Sequence, residues 1–139
     1  MQTPIFKPQT EWLPPTDFPD LGKYDEIAVD LETKDPNLNK RMGSGSVVKV
    51  GDVVGISLAT QDWCAYYPIA HEGGGNLDRR IVLKWLQDQM NYESTKIFHN
   101  AMYDICWLRA IGINVKGKIV DTMIASALVN ENRLRFDLN

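Results

Sequence analysis

Along residues 26–33, Ile27, Val29 and Leu31 alternate with Ala28, Asp30 and Glu32. That period of two predicts a strand with one aliphatic face and one face carrying two acids. Apolar runs at residues 53–58 and 63–67 follow, only four residues apart with Gln61 and Asp62 between them, and read as a hairpin. After Gly73-Gly74-Gly75 the period lengthens. Ile81, Val82, Trp85, Leu86 and Met90 fit one helical face, with Asn76 or Asp78 as N-cap. Residues 96–99 read as a short strand. Ala101, Ile105, Leu108 and Ile111 mark a second helix, closed by Gly112. Residues 118–120 are another strand, and Asp121 can cap a third helix carrying Ile124, Ala127 and Leu128. The order β-β-β-α-β-α-β-α predicts an α/β domain. Its mixed sheet is antiparallel over the first three strands and continues by βαβ crossovers, with helices on its faces. The polar, glycine-rich stretch 34–46 reads as a loop.

Residues 1–22 hold five of the seven prolines, which predicts an extended arm pinned by Trp12, Leu13 and Phe18 to a domain over residues 23–139. A chain of 139 residues with 44% hydrophobic and 24% charged residues has room for one domain with a real core. Its apolar runs are far too short to span a bilayer, and its first residues show no basic segment followed by an apolar block. The net charge of -3 argues against a strongly basic, phosphate-neutralising surface. It leaves open an acidic, metal-holding site. Cys64 and His71, like His99 and Cys106, are separated by six residues, wider than the pairs that zinc sites use. The two cysteines therefore read as reduced and buried in an intracellular protein.

Two groups of residues carry chemistry. Asp30 and Glu32 leave the same face of the first strand, and two carboxylates so placed repel each other unless a cation or a donor intervenes. A hard divalent ion removes that penalty. The ordinary alternative is the solvated side of an edge strand. Asn100 and Asp104 lie one turn apart at a helix start, on a face read as opposite the stripe of Ala101, Ile105 and Leu108. Here the alternative is an N-cap and an exposed acid.

Six segments in this order resemble DnaQ-like (DEDD) 3′→5′ exonucleases, in particular the proofreading domain of phage-type family A DNA polymerases. They are Trp12-Leu13-Pro14-Pro15, Phe18-Pro19-Asp20-Leu21, Asp30-Leu31-Glu32-Thr33-Lys34-Asp35-Pro36, Tyr66-Tyr67-Pro68, His99-Asn100-Ala101-Met102-Tyr103-Asp104 and Asp121-Thr122-Met123-Ile124-Ala125. The resemblance implies an RNase H-like fold and hydrolysis of phosphodiesters at the 3′ end of DNA with two Mg²⁺ or Mn²⁺ ions. It implies that Asp30 bridges both ions, that Glu32 completes one of them and that Asp104 serves the other. It places Asn100 and Thr33 beside a single-stranded DNA substrate. It also implies a polymerase domain in the same chain, no membrane, and a bacterial or phage-infected cytoplasm. Asp121 lies in a shared segment, but helix capping explains it and it stays outside the metal set. Lys34, Lys40, Arg41 and Lys49 give the 34–49 loop a positive charge against Asp35, which suits substrate phosphates or simple solvation.

The family's third motif, Tyr-x3-Asp or His-x4-Asp, is absent from these residues. The only match to the spacing, His99 to Asp104, reuses the second-motif acid. The resemblance implies that the last acid lies beyond Asn139, so the domain is expected to be incomplete at its C-terminus. The expectation for this chain alone is weak metal binding and little or no hydrolysis. The alternative from another class is a non-catalytic module of the same fold that binds nucleic acid or a partner.

Overall fold

The computed structural model describes residues 12–40, 43–133 and 135–138. Its strands and helices follow in the order β1 (Glu26–Lys34), α1 (Gly45–Val48), β2 (Asp52–Ala59), β3 (Cys64–Pro68), α2 (Arg79–Met90), β4 (Thr95–Phe98), α3 (Ala101–Ala110), β5 (Ile119–Asp121) and α4 (Thr122–Val129). The predicted elements all form. The addition is α1, a single turn inside the stretch read as a loop, where Ser44 caps Ser46 and four residues offer no period to detect.

The sheet order is β3-β2-β1-β4-β5. β1 pairs antiparallel with β2 and, over Glu26–Ala28, parallel with β4, so it is a central strand of the sheet and not an edge strand, although Asp30 and Glu32 lie beyond the β4 pairing and are exposed. Ile27, Val29 and Leu31 are buried with Ile56 and Leu58 of β2, Val82, Leu86 and Met90 of α2, and Trp107 and Leu108 of α3. The aliphatic face of β1 thus carries the core. Each fully buried Leu or Ile there contributes about 1.5–3 kcal/mol.

Asp78, not Asn76, is the N-cap of α2, accepting from the Arg80 backbone at 2.9 Å. The arm is pinned differently from expectation. Phe18 packs on Tyr67 and Trp85, Leu21 is fully buried, and Trp12 lies against Tyr66, but Leu13 is 82% exposed. Two hydrogen bonds complete the attachment, Trp85 Nε1 to the Pro19 carbonyl (2.8 Å) and the Leu21 amide to Gln89 Oε1 (2.8 Å). Residues 1–11 of the expected arm lie outside the described residues.

Lys96 on β4 is fully buried, and its ammonium donates to the carbonyls of Tyr92, Ser94 and Lys116 at 2.6–2.9 Å. Burial holds its pKa below the usual lysine value. The lysine clips the turn after α2 to the segment before β5. No helix among the described residues is long and apolar enough to cross a membrane.

Candidate active site

β1 and β4 run parallel with Ala28 opposite Ile97, so Asp30, two residues further along β1, lies level with the end of β4, from which α3 departs. This brings Asp104, in the first turn of α3, to Asp30 on β1. Asp104 is only 4% exposed. It shares the buried stripe of α3 with Ala101, Trp107 and Leu108, which overturns both the exposed-acid reading and the expected placement opposite the apolar face. Burial, then the negative charges of Asp30 and Asp121, push its carboxyl up to about 7. Asp30 lies exposed on the open sheet face, yet the surrounding protein still desolvates it and raises its pKa, against the pull of His99 and of the Leu31 amide.

Glu32 is exposed on the same face, at the register shift where β1 slips by one residue against β2. Such bulges bend a strand and re-aim its side chains. Glu32 faces Gly55 across the β1–β2 pair, on the side of Tyr66. No three His, Cys, Asp or Glu among the described residues stand close enough together to hold a metal ion. The donor set nonetheless fits a hard divalent cation at Asp30 and Asp104. Both offer carboxylate oxygens, they repel each other, and no Lys or Arg among the described residues pairs with either.

Asn100 occupies the N-cap position of α3 but in the left-handed region (φ 70°, ψ 57°), and its side chain makes no cap bond. Asp121 takes over that work. Its carboxylate accepts from the amides of Asn100 (3.0 Å), Ala101 (2.8 Å) and Met123 (2.9 Å), so one residue caps both α3 and α4. Burial raises its pKa, but the Ala101, Asn100, Met123 and Ile124 amides outweigh burial and hold the pKa below its ordinary value. The helix-cap reading of Asp121 holds, with a second helix added.

Thr33 turns away from the acid face. Its hydroxyl meets that of Tyr103 at 2.8 Å, and Tyr103 also donates to Asp35 at 3.2 Å. Asp35 in turn accepts from the Asn37 and Gly45 amides, so Tyr103 ties the end of β1 and the α1 turn to α3. The sequence reading missed Tyr103 in this role. Its only signal was membership of the second motif. His99 bridges Thr122 Oγ1 (2.9 Å) and the Phe136 carbonyl beside Asp30.

Lys34 pairs with Glu72, so the charge offered by the 34–49 loop is partly answered within the protein. Arg41 lies outside the described residues. Cys64 is exposed and Cys106 only half-buried, so the expectation of two buried cysteines fails. Cys64 lines a cavity of about 500 Å³ on the open sheet face, together with Trp12, Ala28, Ser57, Tyr66 and Ile97, and with Asp30 at its wall.

Comparison with known proteins gives this geometry its context. The chain is 33% identical to a DNA-directed DNA polymerase of Pseudomonas phage M6 over 94% of its length, and 31% identical to the DNA polymerase DpoZ of Acinetobacter phage SH-Ab 15497 over 88%. It spans 21% and 17% of those proteins. Among solved structures, NrnC of Brucella melitensis matches 86% of this chain and 52% of its own, at a TM-score of 0.57 and 22% identity. The Nibbler EXO domain of Aedes aegypti matches 81% and 50%, at a TM-score of 0.54 and 17% identity. NrnC has also been solved with bound Mg²⁺. These likenesses show the fold, the RNase H-like mixed sheet. The 3′-5′ exonuclease family model matches residues 17–139, from the pinned end of the arm through both acid-bearing segments, and on a match of that length the chain belongs to the 3′-5′ exonuclease family.

Proposed function

We propose that the chain is the N-terminal part of a proofreading 3′-5′ exonuclease domain, one that works beside a polymerase domain on the single-stranded 3′ end of DNA in a bacterial or phage-infected cytoplasm. One observation carries the reading: β1 and the first turn of α3 bring Asp30 and Asp104, 74 positions apart, within electrostatic reach, where the charge of Asp30 adds to burial in raising the Asp104 pKa. Two acids so placed repel each other once both are ionised, and a divalent cation that displaces the proton removes that repulsion.

In this reading Asp30, Glu32 and Asp104 hold Mg²⁺ or Mn²⁺. Bound divalent ions supply an activated water and stabilise the attacking and leaving oxygens of phosphodiester hydrolysis. The protein's own residues set the geometry. Asp121 fixes the start of α3, which sets Asp104 and leaves the Asn100 side chain free of capping for the substrate strand. Tyr103 braces Thr33 at the end of β1, so any contact from Thr33 to the strand shares its hydroxyl with that brace.

The test uses the chain with a 5′-labelled single-stranded oligonucleotide. Binding strengthened by Mg²⁺ or Mn²⁺ and lost in Asp30→Asn is expected, with shortening from the 3′ end slow or undetectable. Binding indifferent to both the ion and Asp30→Asn overturns the exonuclease reading in favour of a non-catalytic module.

A further inference from the structure

Tyr66 lies in a segment shared with the family but has been given no role so far, and His71 lies outside every such segment, yet the two form a built arrangement beside Glu32. Asp30, Ser57 and Tyr66 occupy one row across β1, β2 and β3, which puts their side chains on the same open face. In the next row Glu32 faces Gly55. A Cβ on Gly55 would fall inside the Tyr66 phenol, so the ring lies diagonally over Gly55 with its hydroxyl toward the Glu32 side. The phenol has its pKa raised by burial and by the charge of Glu32.

His71 fixes the other end of this chain. Its Nε2 hydrogen-bonds the Tyr66 hydroxyl, and its ring stands edge-on to the phenol with centroids 5.9 Å apart. The backbone of His71 is itself held from both sides, its amide by Asn76 Oδ1 (2.7 Å) and its carbonyl by Asn76 Nδ2 (2.8 Å). Gly74 and Gly75, with φ of 84° and 73°, let the chain return tightly enough for that clamp. The neighbouring Glu72 pairs with Lys34, two residues past Glu32. A half-buried tyrosine needs none of this to pack.

We propose that Tyr66, oriented by His71, is a positioning residue for Glu32 that keeps its carboxylate turned toward a divalent ion shared with Asp30. The proposal rests on the exonuclease reading of Asp30 and Glu32. Carboxylates that hold metals are themselves oriented by outer hydrogen-bond partners, and removing such a partner costs about 10–100-fold in metal affinity or activity. Among the described residues Glu32 has no hydrogen bond or ion pair of its own to hold it, and the Tyr66 hydroxyl is the polar group poised over the intervening glycine.

The test is Mn²⁺ affinity of the chain, read as free Mn²⁺ by electron paramagnetic resonance, with thermal melts confirming the fold. Tyr66→Phe keeps the ring and removes only the hydroxyl, and about a tenfold weaker affinity is expected. His71→Ala, at a half-buried position, is expected to match it, and His71→Gln, which keeps a hydrogen-bonding tip, to restore most of the loss. The double variant Tyr66→Phe with Glu32→Gln is expected to bind no more weakly than Glu32→Gln alone, since one residue acts through the other. Wild-type affinity in Tyr66→Phe together with weakened binding in Glu32→Gln overturns the proposal and leaves the exonuclease reading standing. Additive losses in the double variant overturn it too. Wild-type affinity in Glu32→Gln overturns the proposal together with the role of Glu32 beneath it.

Discussion

Asp104 concentrates the electrostatic strain of the site. Its ordinary value is 3.8 and its folded value is about 7, so the folded chain holds a proton that the unfolded chain releases between those limits. Stability from this group therefore falls as pH rises from about 4 to about 7, and the full penalty is present above that window. Three units correspond to about 4 kcal/mol as an upper figure. Asp104→Asn keeps the shape and removes the charge. In chelator, thermal melts by circular dichroism are expected to show wild type and Asp104→Asn close together at pH 4. At pH 8 the variant is expected to melt about 10 °C higher. Mg²⁺ should narrow that gap by stabilising the wild type alone. Parallel melting at every pH would contradict a raised Asp104.

At the scale of elements, one carboxylate organises two helices. Asp121 caps α4 through Met123 and α3 through Asn100 and Ala101, which is why α3 begins where Asp104 can reach Asp30. A lost cap costs about 1 kcal/mol, so Asp121→Ala is expected to lower the unfolding free energy by about 2 kcal/mol. Urea denaturation at pH 5.5 is the right measurement, because Asp104 is then mostly protonated and its repulsion with Asp121 does not mask the effect. The Asp121 carboxyl is held below its ordinary value. Its contribution is therefore present above about pH 4 and is lost as pH falls through the lower folded value, so the deficit of Asp121→Ala should shrink under acid. A full deficit persisting at pH 2 would exclude the capping carboxylate as its cause.

For the whole molecule, the telling feature is that the core lies on one face of the sheet. The helices with buried residues in the core cluster, α2 and α3, pack against the aliphatic side, whereas the acid-bearing side borders an open cavity. α4 has no buried residue, and Leu128 and Val129 are 83% and 88% exposed. Beside them Met102, Ile105, Ile119 and Ile124 line a largely apolar groove between α3, β5 and α4. Exposed apolar surface of this kind takes up hydrophobic dyes and promotes association. The double variant Ile124→Lys/Leu128→Lys is expected to lower anilinonaphthalene sulfonate fluorescence with little change in melting temperature, since neither side chain is buried in the core. A large loss of stability would show that α4 is packed more tightly than its exposure indicates.

Much of this was legible in the residues themselves, for local reasons. The alternation along β1, the helical spacing of Val82, Trp85 and Leu86, the caps at Asp78 and Asp121 and the positive φ of Gly112 depend on neighbours within a turn or a pleat, and a short window contains them all. The family resemblance likewise singled out Asp30, Glu32 and Asp104 as candidates. What the window could not contain is which surfaces meet. An apolar-only stripe assigned Asp104 to the wrong side of α3, because its burial is decided by how α3 docks on the sheet. Leu21 rather than Leu13 anchors the arm, because α2 happens to present Gln89 and Trp85 there. Tyr66 reaches toward Glu32 only through the register of three strands and the absence of a side chain at Gly55. The sequence by itself determined the elements and the acids. The tertiary structure decided which acids share a charge environment, because strand register and helix docking are set by contacts between residues far apart in the chain.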